Sequence, residues 1–202
     1  MLPRRLLLTA PLVLTACASL LPAQNYVPRT DWPLDLAPPP ATGALGGQAV
    51  LMIRPLDAAP GLDARGLQSL GADGRLKVDY YNLWAVAPND AMTEALLEWS
   101  AASGRFAAVV SPGSRLAPGL IVEGELTELL ADMGQGQARA GMTLVVIRAE
   151  GALTDTAVPL AQVRLQASVP LSGNDPESLV AAQKAALAAL LAQAMALLAR
   201  FA

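Results

Sequence analysis

The chain has 202 residues, of which 53% are hydrophobic and 15% are charged, and its formal net charge is −3. It has no histidine and a single cysteine, which excludes a Ser-His-Asp triad, a His-ligated metal, an internal disulfide and a Cys-x-x-Cys redox pair. The acidic balance, with Lys77 and Lys184 as the two lysines, argues against a nucleic-acid partner. The length accommodates one globular domain, or two at most.

The N-terminus has the pattern of a secretory signal peptide. Arg4 and Arg5 precede a short apolar stretch that ends in small residues. This stretch is about half as long as the ~20 residues that a transmembrane helix needs. The sequence therefore predicts a signal peptide over residues 1–16, with cleavage after Ala16.

The segment Leu14-Thr15-Ala16-Cys17 resembles the lipobox of bacterial lipoproteins. The resemblance implies that Cys17 is acylated, for example with palmitate, and becomes the first mature residue. The alternative is an ordinary signal peptide with a chance cysteine. The residue after Cys17 is Ala18. An Asp at this position would resemble the inner-membrane retention signal of Gram-negative lipoproteins, and that signal is absent here. We therefore expect a periplasm-facing lipoprotein of the outer membrane, with the inner membrane as the other option.

Residues 17–47 are rich in proline and glycine, including the run Pro38-Pro39-Pro40. Proline extends a chain and blocks regular pairing, so this segment is predicted to be a semi-rigid tether. Tyr26 and Trp32 lie within it, and they either pin part of the tether to the domain or are simply exposed. The folded domain is predicted to span residues 48–202.

The first half of this domain has strand patterns at residues 49–53, 66–70 and 76–80. Asp73-Gly74 predicts a hairpin turn before a half-buried strand in which Leu76, Val78 and Tyr80 alternate with charged residues. A helix is predicted to begin at Pro88-Asn89-Asp90, with Asn89 or Asp90 as its cap, and to end at Gly104.

Strand patterns follow at residues 106–110, 120–126, 142–149 and 161–169, with Gly124 as a candidate bulge. Asp175-Pro176 starts a last helix that runs to about Arg200, capped by Asn174 or Asp175. We expect this helix to dock across a sheet, and a partner helix is the alternative. The order predicts an α+β fold, a two-layer domain whose mostly antiparallel sheet has two helices packed on one face.

Motifs for catalysis are absent from the sequence: it has no Gly-x-Ser-x-Gly, no Walker motif and no glycine-rich dinucleotide fingerprint. Glu123 and Glu125 share one strand face about 7 Å apart, a spacing loosely compatible with acid-base carboxylates, but two solvent-side glutamates explain them better. Asp90, Glu94 and Glu98 are interpreted as a solvated helix face rather than a cation site. We therefore predict no enzyme activity, no catalytic residue, no metal and no cofactor.

Four segments carry a family resemblance. They resemble, in order and spacing, the ABC-type transport auxiliary lipoproteins, which include the C component of the paraquat-inducible lipid-transport system. The family often has a Tyr-x-Leu strand soon after the tether, and residues 32–36 stand in its place here. The resemblance covers about residues 45–200 and the lipobox, and the four segments are residues 54–66, 80–88, 103–110 and 120–126.

The resemblance implies a non-catalytic component that accompanies an ATPase, a permease and a substrate-binding protein with an MCE domain. Such systems move lipids or other hydrophobic molecules between the inner and outer membranes. The lipoprotein would be the docking end, with a homo-oligomeric ring as one form of assembly. The alternative is a periplasmic lipid-binding carrier. Tyr81 and Trp84 are the candidate contacts for a partner or a lipid, although packing in the core or at an edge explains Trp84 better.

Overall fold

The structure is a computed structural model that describes residues 26–40, 46–149 and 157–202. The predicted signal peptide, Ala16 and Cys17 lie outside these residues. The described part forms the elements β1 (Thr30–Trp32), β2 (Val50–Ile53), β3 (Asp57–Ala58), β4 (Gly66–Leu70), β5 (Leu76–Trp84), α1 (Pro88–Ala102), β6 (Ala108–Val110), β7 (Leu120–Asp132), β8 (Gln137–Ala149), β9 (Ala157–Pro170) and α2 (Pro176–Leu198).

The three long strands β7, β8 and β9 form an antiparallel sheet that carries the core. Alternate residues of β8 are buried because successive side chains of a strand point to opposite faces. A tight turn joins β7 to β8, and Gly136 supplies the positive φ of 66° that this turn needs. The buried set on β8 is Ala138, Ala140, Met142, Leu144 and Val146.

Gly124 lies where β7 and β8 approach closely. A Cβ atom at this position would overlap the backbone carbonyl oxygen of Thr143. The ladder between these strands is regular at Gly124 and shifts register between Leu126 and Glu128 instead. The prediction of a bulge at Gly124 was therefore wrong, and close backbone packing accounts for the glycine.

The other edge of β7 takes three short strands in succession, β2, β3 and β4, each paired in parallel. β6 lies beyond β2, while β5 and then β1 lie beyond β4. β4 and β5 form the predicted antiparallel hairpin, with Gly74 in its turn at φ 77°. The sequence prediction missed β1 and β3, which have only three and two residues.

The two helices begin differently. Asp175 caps α2, because its side chain accepts a hydrogen bond from the Ser178 N–H at 3.0 Å. It is one of the two residues predicted for this role. The predicted caps of α1 were wrong: its N-cap is Ala87, and no side chain caps it. The Asn89 amide instead donates to the carbonyl of Leu56 at 3.1 Å, which ties the start of α1 to the loop after β2.

Both helices pack on the core face of the sheet. Leu187, Leu190 and Leu191 of α2 are fully buried against β7, β8 and β9. The Ser100 hydroxyl of α1 lies 3.8 Å from the Met195 sulfur of α2, so the helices also contact each other. By length and composition α2 could cross a membrane, but here it serves as a core helix. The predicted α+β fold is confirmed.

Part of the segment predicted as a tether belongs to the packed domain. Leu34 and Leu36 are buried in the core, and the Trp99 indole donates to the carbonyl of Leu36 at 2.7 Å. Lys184 of α2 pairs with Asp35 at 2.9 Å. The packed domain therefore includes residues well before 48.

Candidate functional site

Exposed apolar side chains are concentrated at one end of the sheet. Six of the nine large hydrophobic residues that are strongly exposed in the described part belong to β5 or to the segment that leads into β1. A cluster of this kind marks a contact site more often than scattered single residues do. We call it the tyrosine surface, and its members are Tyr26, Val27, Leu76, Val78, Tyr80 and Tyr81.

β5 departs from a regular strand in the middle of this surface. Gly66 of β4 is opposite Leu83, but the next pair is Gln68 with Val78, so four residues of β5 face one residue of β4. We call residues 79–82 the tyrosine bulge. A Cβ atom on Gly66 would lie 2.6 Å from the carbonyl oxygen of Asp79, so the bulge requires glycine on the partner strand.

The Asp79 carboxylate holds the bulge in shape. One of its oxygens accepts from the N–H groups of Tyr81 at 2.8 Å and Asn82 at 3.1 Å, and the other accepts from the Asn82 amide at 3.2 Å. The Trp32 indole in turn donates to the Asn82 side-chain oxygen at 3.2 Å. Burial raises the pKa of Asp79, but these donors and nearby Lys77 outweigh burial and hold the pKa below its ordinary value.

The bulge presents two tyrosine rings to solvent. Tyr80 is 64% exposed and Tyr81 is 43% exposed, and their ring centroids lie 5.2 Å apart in an edge-to-face arrangement. The Arg29 guanidinium sits 3.8 Å from the centroid of the Tyr80 ring, a cation–π contact that joins the N-terminal segment to the bulge. Sequence reasoning missed Arg29 because its partner is about fifty residues away.

The two predicted contact residues have different positions. Tyr81 lies on the surface, whereas Trp84 is 1% exposed and lies opposite Trp32 in the β1–β5 ladder. Trp84 is therefore a core residue, in agreement with the packing interpretation. Its contribution to the tyrosine surface is indirect, because it anchors the end of the strand that carries the bulge.

The predicted burial of Leu76 and Val78 was wrong, since they are 54% and 47% exposed. Lys77 and Asp79 line a cavity of about 530 Å³ beside Leu179 of α2. Because neighbouring side chains alternate across a strand, Leu76 and Val78 point to the helix-free side. The charged side chains of β5 therefore face the helix and the apolar ones face away from it, which is the reverse of the usual pattern. For this reason the alternation of apolar and charged residues predicted the wrong face of β5 as the buried one.

We expect Asp79→Ala to lower the free energy of unfolding by about 1 kcal/mol at neutral pH, because the bulge loses its hydrogen-bond acceptors. The folded-state pKa is lowered, so the stabilisation is present above the unfolded-state pKa and is lost as pH falls through the folded-state value. Thermal unfolding at neutral and acidic pH measures this difference. Asp63→Ala, at an exposed site, is the control, and an equal effect of both variants would contradict the role of Asp79.

The other carboxylates singled out in the sequence lie elsewhere. Glu123 pairs with Arg54 at 3.0 Å on the surface. Asp90, Glu94 and Glu98 edge an open groove of about 410 Å³ with an apolar floor that includes Leu34. Within the described ranges, no group of three or more Asp, Glu, Cys or His residues is arranged to hold a metal ion.

Comparisons with known proteins agree with this architecture. Residues 33–196 match the family model described as "ABC-type transport auxiliary lipoprotein component". The chain belongs to this family. The match begins at Pro33, within the segment that packs on α1, so the family domain and the packed domain begin close together. The chain is thus a transport auxiliary lipoprotein. The comparison with curated proteins gave no match.

Two solved structures show the same fold. Protein XCC0632 from Xanthomonas campestris is 18% identical, with a TM-score of 0.67 over 82% of this auxiliary lipoprotein and 92% of that chain. A second, described as an uncharacterized protein, is 12% identical, with a TM-score of 0.57 over 76% of this chain and 95% of that one. At these identities the likeness extends to the fold alone.

Proposed function

We propose that this auxiliary lipoprotein is a non-catalytic, membrane-anchored docking component of an MCE-type ABC transporter. The system would move lipids or other hydrophobic molecules between the inner and outer membranes. The observation that carries the proposal is the family match over residues 33–196. The partners proposed are an MCE-domain substrate-binding protein, the permease and the ATPase, and the anchor is Cys17 in the outer membrane.

The architecture supports a non-catalytic role. Among the described residues, Glu123 is ion-paired on the surface, and Asp90, Glu94 and Glu98 edge an open groove with an apolar floor rather than an enclosed polar site. Tyr81 is the proposed contact residue for a partner or a lipid, and Trp84 supports it from the core. Assembly into a homo-oligomeric ring remains part of the proposal, since a ring would repeat the same docking surface around a central axis.

A mild-detergent pull-down of the intact lipoprotein from its native membranes tests the proposal, with proteins and lipids both identified by mass spectrometry. We expect an MCE-domain protein and its permease to co-purify at least tenfold above a matched sample from cells that lack the tagged chain. A Leu116→Ser variant, changed at an exposed apolar residue outside the tyrosine surface, should recover the same partners. Recovery of the chain with no transporter component would contradict the docking role.

A periplasmic lipid carrier is the second candidate, and the open groove beside α1 favours it. The groove has a volume of about 410 Å³ and an apolar floor, which falls within the range of small-molecule sites. Native mass spectrometry of the purified protein distinguishes the two functions. A stoichiometric phospholipid without any transporter component would support the carrier, and an empty chain that binds an MCE-domain protein would support docking.

A further inference from the structure

We infer that the tyrosine surface rests on the phospholipid interface of the same membrane that holds the anchor of this chain. The inference rests on the proposed acylation of Cys17 and adds a second, non-covalent contact with the bilayer. The occupant of the surface is then the headgroup and upper acyl region of the lipid leaflet, rather than a second copy or a partner protein.

The length of chain before the domain limits how far this surface can lie from the membrane. Tyr26 is nine residues after Cys17. Because an extended chain spans at most about 3.6 Å per residue, Tyr26 lies within about 32 Å of the acylated residue whatever the conformation between them. Tyr26 itself belongs to the tyrosine surface, so the anchor leads directly to it.

The pairing of β1 keeps the rest of the surface close to that point. Thr30 is opposite Asn82 in a parallel ladder, so the residues before Thr30 extend along β5 toward the bulge. Arg29 reaches the Tyr80 ring at 3.8 Å, which confirms this course of the chain. Tyr80 and Tyr81 are therefore held next to the segment that leads to the membrane.

The chemistry of the surface suits a lipid interface. Leu76 and Val78, 54% and 47% exposed, offer apolar side chains on the helix-free side, where no element of the described residues covers them. Tyrosine has an apolar ring and a polar tip, and such residues are enriched where a membrane meets water. Arg29, which has no ion pair among the described residues, is placed to meet lipid phosphates while its guanidinium lies over the Tyr80 ring.

A probe on the surface can test this contact in the full-length acylated protein. The protein carries Leu76→Cys labelled with the fluorophore NBD and is reconstituted into phosphatidylethanolamine–phosphatidylglycerol vesicles. Acylation occupies Cys17, so the label goes to the new cysteine. Val158→Cys is the control because Val158 is apolar, 39% exposed and on β9, about 19 Å across the sheet from β5.

We expect lipids brominated on their acyl chains to quench the probe at position 76 at least threefold more strongly than the probe at position 158. Equal quenching, or none at either position, in vesicles that carry the protein would overturn the inference. Flotation of the vesicles separates this outcome from failure of the anchor, because a protein that does not float with the lipid overturns both the anchor and the surface contact.

A second set of variants tests which side chains make the contact. Tyr80→Ser with Tyr81→Ser, in the protein labelled at position 76, should reduce the quenching at least twofold while flotation stays complete. Leu116→Ser is the matched control and should leave the quenching at position 76 unchanged. Unchanged quenching in the double variant would overturn the assignment of the tyrosines. Disulfide cross-linking of the unlabelled Leu76→Cys protein to a second copy on the same vesicles would overturn the lipid as occupant.

Discussion

Gly124→Ala is expected to lower the free energy of unfolding by about 3 kcal/mol, the upper end of the cost of overpacking a core. The added Cβ would overlap the backbone carbonyl oxygen of Thr143 on β8, and a backbone atom cannot move aside as a flexible side chain does. β7 is also the strand to which β2, β3, β4 and β8 all pair. Displacement of β7 would therefore disturb the whole sheet.

Gly119→Ala is the matched control for this variant. Gly119 precedes the same strand, but a Cβ there would have its nearest neighbours at 4.0 Å, which is ordinary contact. Chemical denaturation of the purified domain should show a large loss for Gly124→Ala and a change within about 0.5 kcal/mol for Gly119→Ala. Similar midpoints for the two variants would show that close packing at β7–β8 does not limit stability.

Cys17→Ala, placed behind a signal peptide that ordinary leader peptidase cleaves, should move the protein from the membrane to the soluble periplasmic fraction. Several acyl chains on one residue, at about 0.8 kcal/mol per buried methylene, hold a protein far more firmly than the tyrosine surface alone could. We expect the membrane-bound fraction to fall at least tenfold, measured by fractionation and immunoblotting. Transport by the proposed ABC system should be lost together with the membrane-bound protein.

Ala18→Ser serves as the control because it leaves the lipobox cysteine in place and should remain membrane-bound. The altered leader avoids a misleading result, since an uncleaved signal peptide could itself keep the variant on the membrane. A Cys17→Ala protein that is correctly cleaved, soluble and fully active would contradict the anchored docking role.

The hairpins and helices of this fold could be predicted from local sequence because their signals are local. Asp73-Gly74 fixes the β4–β5 turn, and Asp175-Pro176 fixes the start of α2. The sequence also predicted that α2 docks across a sheet, and its buried leucines lie there. In each case the residues that decide the structure lie within a few positions of one another.

The missed features depend on contacts between distant residues. β1 and β3 are too short to show a period, and they exist because β5 and β7 offer them free edges. Proline-rich composition indicated a tether, but burial of Leu34 and Leu36 stabilises that segment against α1. The tyrosine bulge depends on Gly66 opposite β5, so neither the exposure of Tyr80 nor its contact with Arg29 could be read from β5 alone.

The parallel pairing of β1 with β5 has a mechanical consequence for a protein held by its N-terminus. Tension on the anchor pulls β1 along its own axis, so its hydrogen bonds to β5 are loaded in shear and must break together. A hairpin strand pulled from its end would instead unzip one bond at a time. Leu34 and Leu36, buried just after β1, would also have to leave the core before the chain beyond them could be drawn out.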